Sequence, residues 1–446
     1  MKIILKKINN KARLYLQRFF LTLQLHSDNS LANHAAACAY GFLLSIAPML
    51  LLVAFFIFTL FNPSPSAIAA FFGNIPFLDG IFDEQWLSSD LFTKVNPGIS
   101  GIISVISIIW AARILALSIQ RGLKIVFPAA RNRNPVSENL VMLVIEAVVI
   151  VLILIIILSS RTAMRFYRLL DFIVDNSFFQ IITSQTSSFI FYIFILGLVS
   201  FFLYLFVPVK SPRKSSAFRG MLFFITSYSV VAIILGTILD ISRYNFIYGA
   251  LGNMIIILIN VFIFFNFFFM GAQLAFVIDS FDALFIIKLR QINIKSRVNE
   301  NPGKLKKQLK SLDIFAKLFS ITDDGTNKNI RQYKKDKIII SQDDSGYDIF
   351  YLLEGEVDVM ISSVKENSYS IGTLETGSFF GEMRHLISSD RCATVKAKTN
   401  VTVFIISPQV FDEMLKYDTC LDRDIIEQMS RRIKDITEQM KTGSNS

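Results

Sequence analysis

Residues 377–397, GSFFGEMRHLISSDRCATVKA, decide the fold of the last third of the chain. In this stretch Phe380-Gly381-Glu382 is followed, after eight residues, by the run Arg391–Val395. Gly381 has no Cβ, so the backbone can come close to a ligand, and a short helix starting there would point free N–H groups at an anion. A guanidinium at Arg391, entering from the next strand, can form a charge-assisted pair with a phosphate. The stretch therefore predicts an anion-binding site.

Short alternating segments surround this stretch between residues 336 and 407. They have the pattern typical of strands and read KIIIS, IFYLLEG, VDVMISS, YSIGTL, ATVKAKT and VTVFIIS. Helical periodicity precedes them at 304–320 and follows them at 408–440. We therefore expect a cytoplasmic α+β domain at residues 304–446, in which helices flank a compact β-roll.

The pattern resembles the phosphate-binding cassette of cyclic-nucleotide-binding domains. Gly346, Tyr351 and the run Leu352–Val357 match the glycine-bearing strand and turn of that family. The resemblance implies that Arg391 and helix N–H groups bind the cyclic phosphate and that Glu382 accepts a hydrogen bond from the ribose. The ligand is then a cyclic nucleotide, with no metal. The implied binding residues are Gly381, Glu382, Met383, Arg384, Arg391, Cys392, Ala393 and Thr394.

Four positions depart from the family pattern or select within it. Arg384 and His385 stand where the family usually has small or aliphatic residues, and Asp390 replaces a common proline. Arg384 either adds a phosphate contact or reshapes the pocket for a more anionic ligand, while Asp390 is placed to compete for Arg391. In cGMP-selective members a threonine follows the arginine. Cys392 takes that position here and favours cAMP.

The earlier part of the chain is far more apolar. Overall, 53% of the residues are hydrophobic and 18% are charged, whereas a soluble domain is about 25% charged. A membrane-spanning helix needs about 20 largely apolar residues. The stretches that qualify are 36–61, 99–120, 139–160, 186–208, 218–239 and 249–278. We therefore expect an α-helical polytopic membrane domain of six transmembrane helices at residues 31–280.

Basic residues set the expected orientation. We interpret residues 1–30 as a basic amphipathic segment on the membrane surface, with a simple cytoplasmic tail as the alternative. The second and fourth connections between apolar stretches are basic, whereas the first is acidic. By the positive-inside rule both termini are cytoplasmic, although the arginines of 161–168 disagree. Residues 281–303 form a basic connector whose amphipathic pattern fits a membrane surface.

The apolar part resembles the YihY/BrkB family. The matching positions are Ala35–Tyr40, Leu44–Pro48, Tyr204, Pro208, Tyr248–Leu251 and Gly271–Ala275. The resemblance implies a multi-pass protein of the bacterial inner membrane, in contact with the lipid bilayer, and it brings architecture rather than a settled activity. Ala37/Gly41 and Gly271/Ala275 are pairs of small residues, which let helices approach closely.

Two charged residues lie well inside the apolar stretches and are functional candidates. Arg113 and Glu146 each lie about two turns from the cytoplasmic end of a predicted helix, at a depth of about 10 Å. Adjacent antiparallel helices would let them pair. A purely structural ion pair, or an Arg113 side chain that reaches toward the membrane surface, is the alternative.

Amides of the last apolar stretch are a second set of candidates. Asn253 and Asn260 share one helix face, and Asn266 and Gln273 share another. They either line a polar path or bond to neighbouring helices.

Composition argues against several other classes of protein. The net charge of +10 comes from basic residues that crowd at the ends of apolar stretches, which is typical of membrane topology rather than of a nucleic-acid partner. His26, His34 and His385 lie in different regions, so the histidine cluster that a zinc nuclease needs is missing. The three cysteines are too scattered for a disulfide framework. We therefore expect no enzyme activity, ribonuclease activity included.

Several functions remain open. The first is a cyclic-nucleotide-sensing membrane protein, such as a regulated transporter, in which binding moves the terminal helices and the connector. The second is a structural or scaffolding membrane protein whose sensor is degenerate, with Glu382 and Arg391 as a surface ion pair. The third is a gated channel, although the sequence shows neither a selectivity filter nor an arginine ladder.

The last predicted helix carries a short apolar seam. Ile426, Met429, Ile433, Ile436 and Met440 are spaced three and four residues apart, as in a coiled coil. Three roles are open for this seam. It either closes over the nucleotide base, pairs two subunits in a homo-oligomer, or packs on the β-roll.

Overall fold

The fold consists of two compact units. A computed structural model describes residues 10–44, 99–128, parts of 134–143, 185–238, 250–298, 329–362, 368–387 and 389–443. The helical unit comprises residues 20–279, and the β-roll unit comprises residues 1–19 and 280–446. The sequence predicted a membrane domain that ends at residue 280, a connector at 281–303 and a second boundary near residue 303. The observed division follows Asp279, and the connector helix is grouped with the β-roll unit.

Long apolar helices build the first part of the chain. They are α1 (Asn10–Asp28), α2 (Leu31–Leu44), α3 (Ile99–Val126), α4 (Gln185–Phe206), α5 (Lys214–Ile238) and α6 (Ala250–Asp279). Helices α3 to α6 lie at four of the predicted membrane segments, whereas the predicted segment 139–160 lies almost entirely outside the described residues. Among the described residues, Lys214–Leu235 and Leu258–Asp279 are long and apolar enough to cross a membrane. The predicted total of six spans therefore stays a prediction.

Helices α5 and α6 cross where both have small residues. A Cβ on Gly220 would lie 2.4 Å from the carbonyl oxygen of Gly271 and 2.8 Å from the Cβ of Ala275. The Tyr204 hydroxyl of α4 donates to the Phe268 carbonyl of α6 over 2.6 Å. The pair Gly271/Ala275 therefore allows the close helix approach that its spacing predicted.

The polar candidates of the helical unit make hydrogen bonds where the structure describes them. The Asn260 amide donates to the Ile256 carbonyl of its own helix. His26 Nε2 of α1 is 2.9 Å from the Asn266 side-chain oxygen. The side-chain amide of Asn29 donates to the side-chain oxygen of Gln273. These contacts join α6 to the end of α1, as the second interpretation of the amides expected.

The remaining candidates of the helical unit are described only in part. Arg113 lies on α3 and is half-buried. Glu146 and the side chain of Asn253 lie outside the described residues, so the predicted pairing of Arg113 with Glu146 stays a prediction.

Eight strands form the β-roll in the part of the chain that the structure describes. They are β1 (Ile330–Tyr333), β2 (Ile338–Ile340), β3 (Ile349–Glu354), β4 (Glu356–Ser362), β5 (Ser368–Glu375), β6 (Phe379–Phe380), β7 (Thr394–Ala397) and β8 (Val401–Ile406). Two antiparallel sheets have the orders β1-β8-β3-β6 and β2-β7-β4-β5. Alternate residues of both sheets meet in a core that includes Leu352, Val357, Val395 and Val403. The sequence predicted six of these strands and missed the short β1 and β6.

After residue 280 the described helices of the β-roll unit are α7 (Phe281–Val298), α8 (Met383–Ile387), α9 (Pro408–Tyr417) and α10 (Thr419–Gly443). The sequence predicted one helix at 408–440. The structure breaks it at Asp418, whose extended backbone ends α9 and whose carboxylate accepts from the Cys420 amide at the start of α10. Ile426 and Ile433 of the apolar seam are exposed. The predicted helix at 304–320 lies outside the described residues.

The connector helix α7 is largely covered by protein. Residues 281–287, 289 and 290 are buried except for the exposed Asp282, and the Phe285 ring lies 6.2 Å from that of Phe404 on β8. This packing differs from the membrane-surface location that the amphipathic pattern predicted, because the apolar face of α7 contacts the β-roll and α9.

Candidate functional site

Strand β6 fixes the start of the cassette. Phe380 pairs with Phe350 of β3, and their rings stack 5.2 Å apart. The next residue, Gly381, has a φ of +80°, and a Cβ there would lie 2.7 Å from Arg391 Nη1. A side chain at Gly381 would therefore be strained in its backbone and would collide with the guanidinium.

The Arg391 guanidinium lies at the centre of the site. It is 4% exposed, and it donates to the backbone carbonyls of Gly381 and Asp348, both over 2.6 Å. Among the described residues, the ion pairs include none between Arg391 and a carboxylate. A buried cation held by neutral carbonyls keeps a charge that an incoming anion can pair with.

Charged neighbours act on Arg391 in both directions. Burial lowers the pKa of Arg391 from its ordinary value, and the positive charge of Arg384 lowers it further. The carboxylates of Asp344, Asp348 and Glu382 act in the opposite direction. Arginine stays protonated under all ordinary conditions. The site therefore contains a desolvated cation close to a second one, and an anionic ligand would stabilise both.

Glu382 lies beside this cation and is 2% exposed. Its carbonyl accepts from the amides of His385 and Leu386 as α8 begins. The sequence predicted that the helix starts at Gly381, whereas α8 starts at Met383 and has five residues. A buried Glu382 does not fit the surface ion pair considered as the alternative.

Arg384 points back toward the loop between β2 and β3. It is 8% exposed, and its Nη1 donates to the Asp344 carbonyl over 2.8 Å and to the Asp390 carboxylate over 3.0 Å. Its guanidinium carbon lies 4.2 Å from the centre of the Tyr347 ring. The carboxylate that the sequence placed in competition for Arg391 is therefore paired with Arg384.

His385 faces α9 instead of the cassette. Its Nε2 lies 2.7 Å from Asp412 Oδ1, and its ring packs against Phe411. Phe411 also contacts Phe379 of β6. The cassette and α9 are therefore joined by a polar contact and by aromatic packing.

The other predicted ligand residues have lesser roles in this geometry. The Thr394 hydroxyl accepts from the Gln342 amide, and the exposed Cys392 thiol lies 3.4 Å from Ser389 Oγ. Met383 and Ala393 are half-buried.

In the loop of residues 342–348, sequence reasoning named Gly346 but missed the aspartates. Its Asp344 and Asp348 carbonyls accept from Arg384 and Arg391, and its Asp343 amide donates to the Arg391 carbonyl. The acid-rich run Gln-Asp-Asp-Ser-Gly-Tyr-Asp between two strands was the available signal. Among the described residues, no group of acidic, histidine or cysteine side chains could hold a metal ion.

The connector helix reaches the junction of α9 and α10. The Arg290 side chain of α7 is buried and donates to Asp418 over 2.7 Å and to Asp424 of α10. Ser280, which precedes α7, lies 3.2 Å from the Tyr417 hydroxyl at the end of α9. Helix α7 therefore contacts the junction through two ionic contacts of Arg290, and the residue before the helix adds one polar contact.

Comparison with known proteins identifies both parts of the chain. The sequence model of the family described as Virulence factor BrkB matches residues 22–284, and that of the cyclic nucleotide-binding domain matches residues 330–418. The "cAMP-dependent protein kinase regulatory subunit" of Candida albicans is 32% identical over 124 residues, which is 26% of each chain. "Lysophospholipase NTE1" of Candida glabrata is 26% identical over 98 residues, 19% of this chain and 6% of that protein.

Two solved structures each match about a quarter of this chain. The c-di-GMP-responsive global regulator CLP of Xanthomonas campestris is 22% identical, with a TM-score of 0.23, over 25% of this chain and 57% of that one. The Catabolite Activator Protein of Thermus thermophilus is 19% identical, with a TM-score of 0.24, over 26% of this chain and 54% of that one. This chain spans about a quarter or less of the two curated relatives.

Proposed function

We propose that this chain, which belongs to the Virulence factor BrkB family, is an integral membrane protein that senses a cyclic nucleotide. The observation that carries the proposal is the buried Arg391 guanidinium, which bonds to two neutral carbonyls next to the buried Glu382. Arg391 pairs with the cyclic phosphate, and Glu382 accepts from the ribose hydroxyl. The match of residues 330–418 to a cyclic nucleotide-binding domain supports this assignment.

Titration of the purified full-length protein in detergent with cAMP and cGMP tests the sensor. We expect saturable binding, and we expect Arg391→Ala to weaken it at least about 100-fold, since a desolvated charge pair is lost. Arg331→Ala removes an exposed arginine of β1 and is the matched control. A folded wild-type protein that binds neither nucleotide contradicts the proposal and favours a scaffolding protein with a degenerate sensor.

Among cyclic nucleotides we propose cAMP as the preferred ligand. Cys392 stands where a threonine would favour cGMP, and the curated relative named for cAMP dependence supports the same choice over the part that it covers. We expect cAMP to displace a fluorescent cyclic nucleotide at lower concentration than cGMP does. Tighter binding of cGMP would reverse the assignment.

Ligand binding is transmitted through α7 in this proposal. The contacts of Arg290 with Asp418 and Asp424 tie the connector helix to the junction of α9 and α10, and α7 follows α6 after Ser280 alone. The regulated activity would be transport. We expect cAMP to change hydrogen–deuterium exchange in α7 and in residues 417–424. In Arg290→Met the change at 417–424 should persist, while that in α7 is lost. An unchanged α7 in the wild type contradicts this route.

Both termini are proposed to be cytoplasmic, in a bacterial inner membrane crossed several times. The exposed apolar residues of α4 and α5, among them Phe194, Leu222 and Ile233, support contact with lipid. Cys392 and Cys420 are exposed, whereas Cys38 is buried. In intact spheroplasts a membrane-impermeant maleimide should leave the exposed pair unlabelled until the membrane is permeabilised. Labelling before permeabilisation contradicts this orientation.

A second copy of the chain is a proposed partner. Ile426 and Ile433 are exposed one heptad apart on α10. Replacing both with glutamate should reduce the mass measured by light scattering from that of an oligomer to that of a monomer. An unchanged mass contradicts pairing through α10.

We also propose that the chain acts without catalysis. The regulatory family matches support this, and RNA incubated with the purified protein should remain intact. Cleavage that a chelator abolishes would contradict it.

A further inference from the structure

Two buried arginines of the cassette share one loop but have different partners. Arg384 and Arg391 donate to the carbonyls of Asp344 and Asp348 respectively. Arg384 also pairs with the Asp390 carboxylate over 3.0 Å, whereas Arg391 makes its hydrogen bonds to carbonyls alone among the described residues. The carboxylate next to Arg391 in the chain is therefore bonded to the other arginine.

The position of Arg384 is fixed by contacts that do not involve Asp390. The Asp344 carbonyl accepts from Nη1 over 2.8 Å, and the Tyr347 ring lies beneath the guanidinium at 4.2 Å. Asp390, by contrast, is an exposed side chain, with 77% of its surface accessible. Arg384, whose position is fixed, therefore holds the Asp390 side chain, which would otherwise be free to rotate.

Asp390 directly precedes a second cation, Arg391, in the chain. The guanidinium groups of Arg384 and Arg391 donate to the Asp344 and Asp348 carbonyls of one short loop, so the two cations lie close together. Asp390 is now attracted by two cations, Arg384 and Arg391. Without Arg384, the attraction to Arg391 would no longer have a competitor. A carboxylate bonded to Arg391 would have to be displaced before a phosphate could bind.

We propose that Arg384 is a positioning residue of the nucleotide site that holds Asp390 away from Arg391 and so keeps Arg391 open to the cyclic phosphate. This inference rests on the proposed cyclic-nucleotide binding. It assigns Arg384 a role through Asp390, in contrast to a direct contact with the ligand.

The test is a double-mutant cycle on the full-length protein, with cAMP as the probe. Arg384→Met keeps the length of the side chain and removes its charge, and we expect cAMP affinity to fall about tenfold, the effect of one competing charge-assisted contact. Asp390→Asn alone should leave the affinity within about twofold. The double variant Arg384→Met/Asp390→Asn should return to within about threefold of the wild type, because the competitor is gone.

A second substitution at Arg384 separates the loss of charge from misfolding. Arg384→Gln keeps a donor for the Asp344 carbonyl without the charge, and it should show the same loss and the same rescue by Asp390→Asn. Asp390→Asn changes an exposed side chain in an otherwise intact protein, so a tenfold loss in that variant alone overturns the inference.

The outcomes separate this inference from the proposed function. Equal losses in the single and double Arg384 variants indicate a direct ligand contact or a purely structural role and overturn the inference alone, as does unchanged affinity in Arg384→Met. A wild-type protein that binds no nucleotide overturns the proposed function and this inference with it. Loss followed by rescue supports both.

Discussion

The two units bury polar groups of different kinds. Among the described residues, every buried charged side chain lies in the β-roll unit, and these are Arg290, Glu382, Arg384 and Arg391. The buried polar residues of the helical unit are all uncharged, namely Thr22, Gln120, Ser200, Ser216 and Gln273. Burying a charge costs several kcal/mol unless it is paired, whereas an uncharged group needs only a hydrogen bond.

The difference teaches where the chain can respond to a ligand. The hydroxyl of Ser200 donates to a carbonyl one turn earlier, and that of Tyr204 donates across to α6. These two hydroxyl groups therefore have their hydrogen-bond partners within the packed helices. In the β-roll unit, Arg391 lies at the cassette and Arg290 lies at the α9–α10 junction. At either place, a change in the local charge changes the electrostatic energy of a buried cation. Four substitutions test this difference between the units, in order of decreasing expected effect.

Gly220→Leu should have the largest effect, in the unit whose described residues include no buried charge. Its Cβ would lie 2.4 Å from the Gly271 carbonyl oxygen, and because backbone atoms cannot move aside, the cost should exceed the roughly 3 kcal/mol of ordinary overpacking. We expect little monodisperse protein after detergent extraction. Gly41→Ala is the control, because its nearest contact would be 3.5 Å. A well-folded Gly220→Leu protein would show that the crossing of α5 and α6 is not closely packed.

Arg290→Met should have the next largest effect, through charge. It leaves the largely buried Asp418 carboxylate without its ionic partner. We expect the fold to lose about 3 kcal/mol, the lower end of the range for a broken buried ion pair, because Asp424 is partly exposed. The apparent unfolding midpoint should fall by several degrees. Arg423→Met, at an exposed position on α10, should leave it unchanged. Equal midpoints in the two variants would remove Arg290 from the comparison.

His385→Leu should have a smaller effect. It replaces the imidazole with an aliphatic side chain and removes a contact of 2.7 Å to the half-exposed Asp412. One net hydrogen bond is worth about 1 kcal/mol. We expect a small fall in the midpoint and an unchanged cAMP affinity, because His385 faces α9. A large loss of affinity would place His385 in the binding site.

Asp336→Asn should have the smallest effect, which should be present near neutral pH and vanish in acid. Hydrogen bonding and charge from Lys396 lower the pKa of Asp336. Because the folded pKa lies below the unfolded one, the contribution is present above the unfolded pKa and is lost as pH falls through the folded pKa. The variant should match the wild type in acid and be slightly less stable near neutral pH. Any effect on cAMP binding would contradict this purely surface role.

Local pattern was enough to predict much of the β-roll unit. The alternation of residues 337–407 identified six strands, and the spacing of Gly381, Glu382 and Arg391 identified residues that the fold brings together. These features lie in short windows, where periodicity and backbone chemistry act. The two-residue β6 was missed because so short a strand has no period of its own, and the break at Asp418 was missed because no glycine or proline marks it.

By itself the sequence determined the order of the two parts, the strands, the cassette and the apolar segments. Tertiary structure alone decided which charges meet. Arg290 finds Asp418 and Asp424 across 128 and 134 residues, and Asp390 pairs with Arg384 in preference to its neighbour Arg391. Periodicity is set by neighbours along the chain, whereas the partner of a buried charge is set by distance and solvent access in the folded protein.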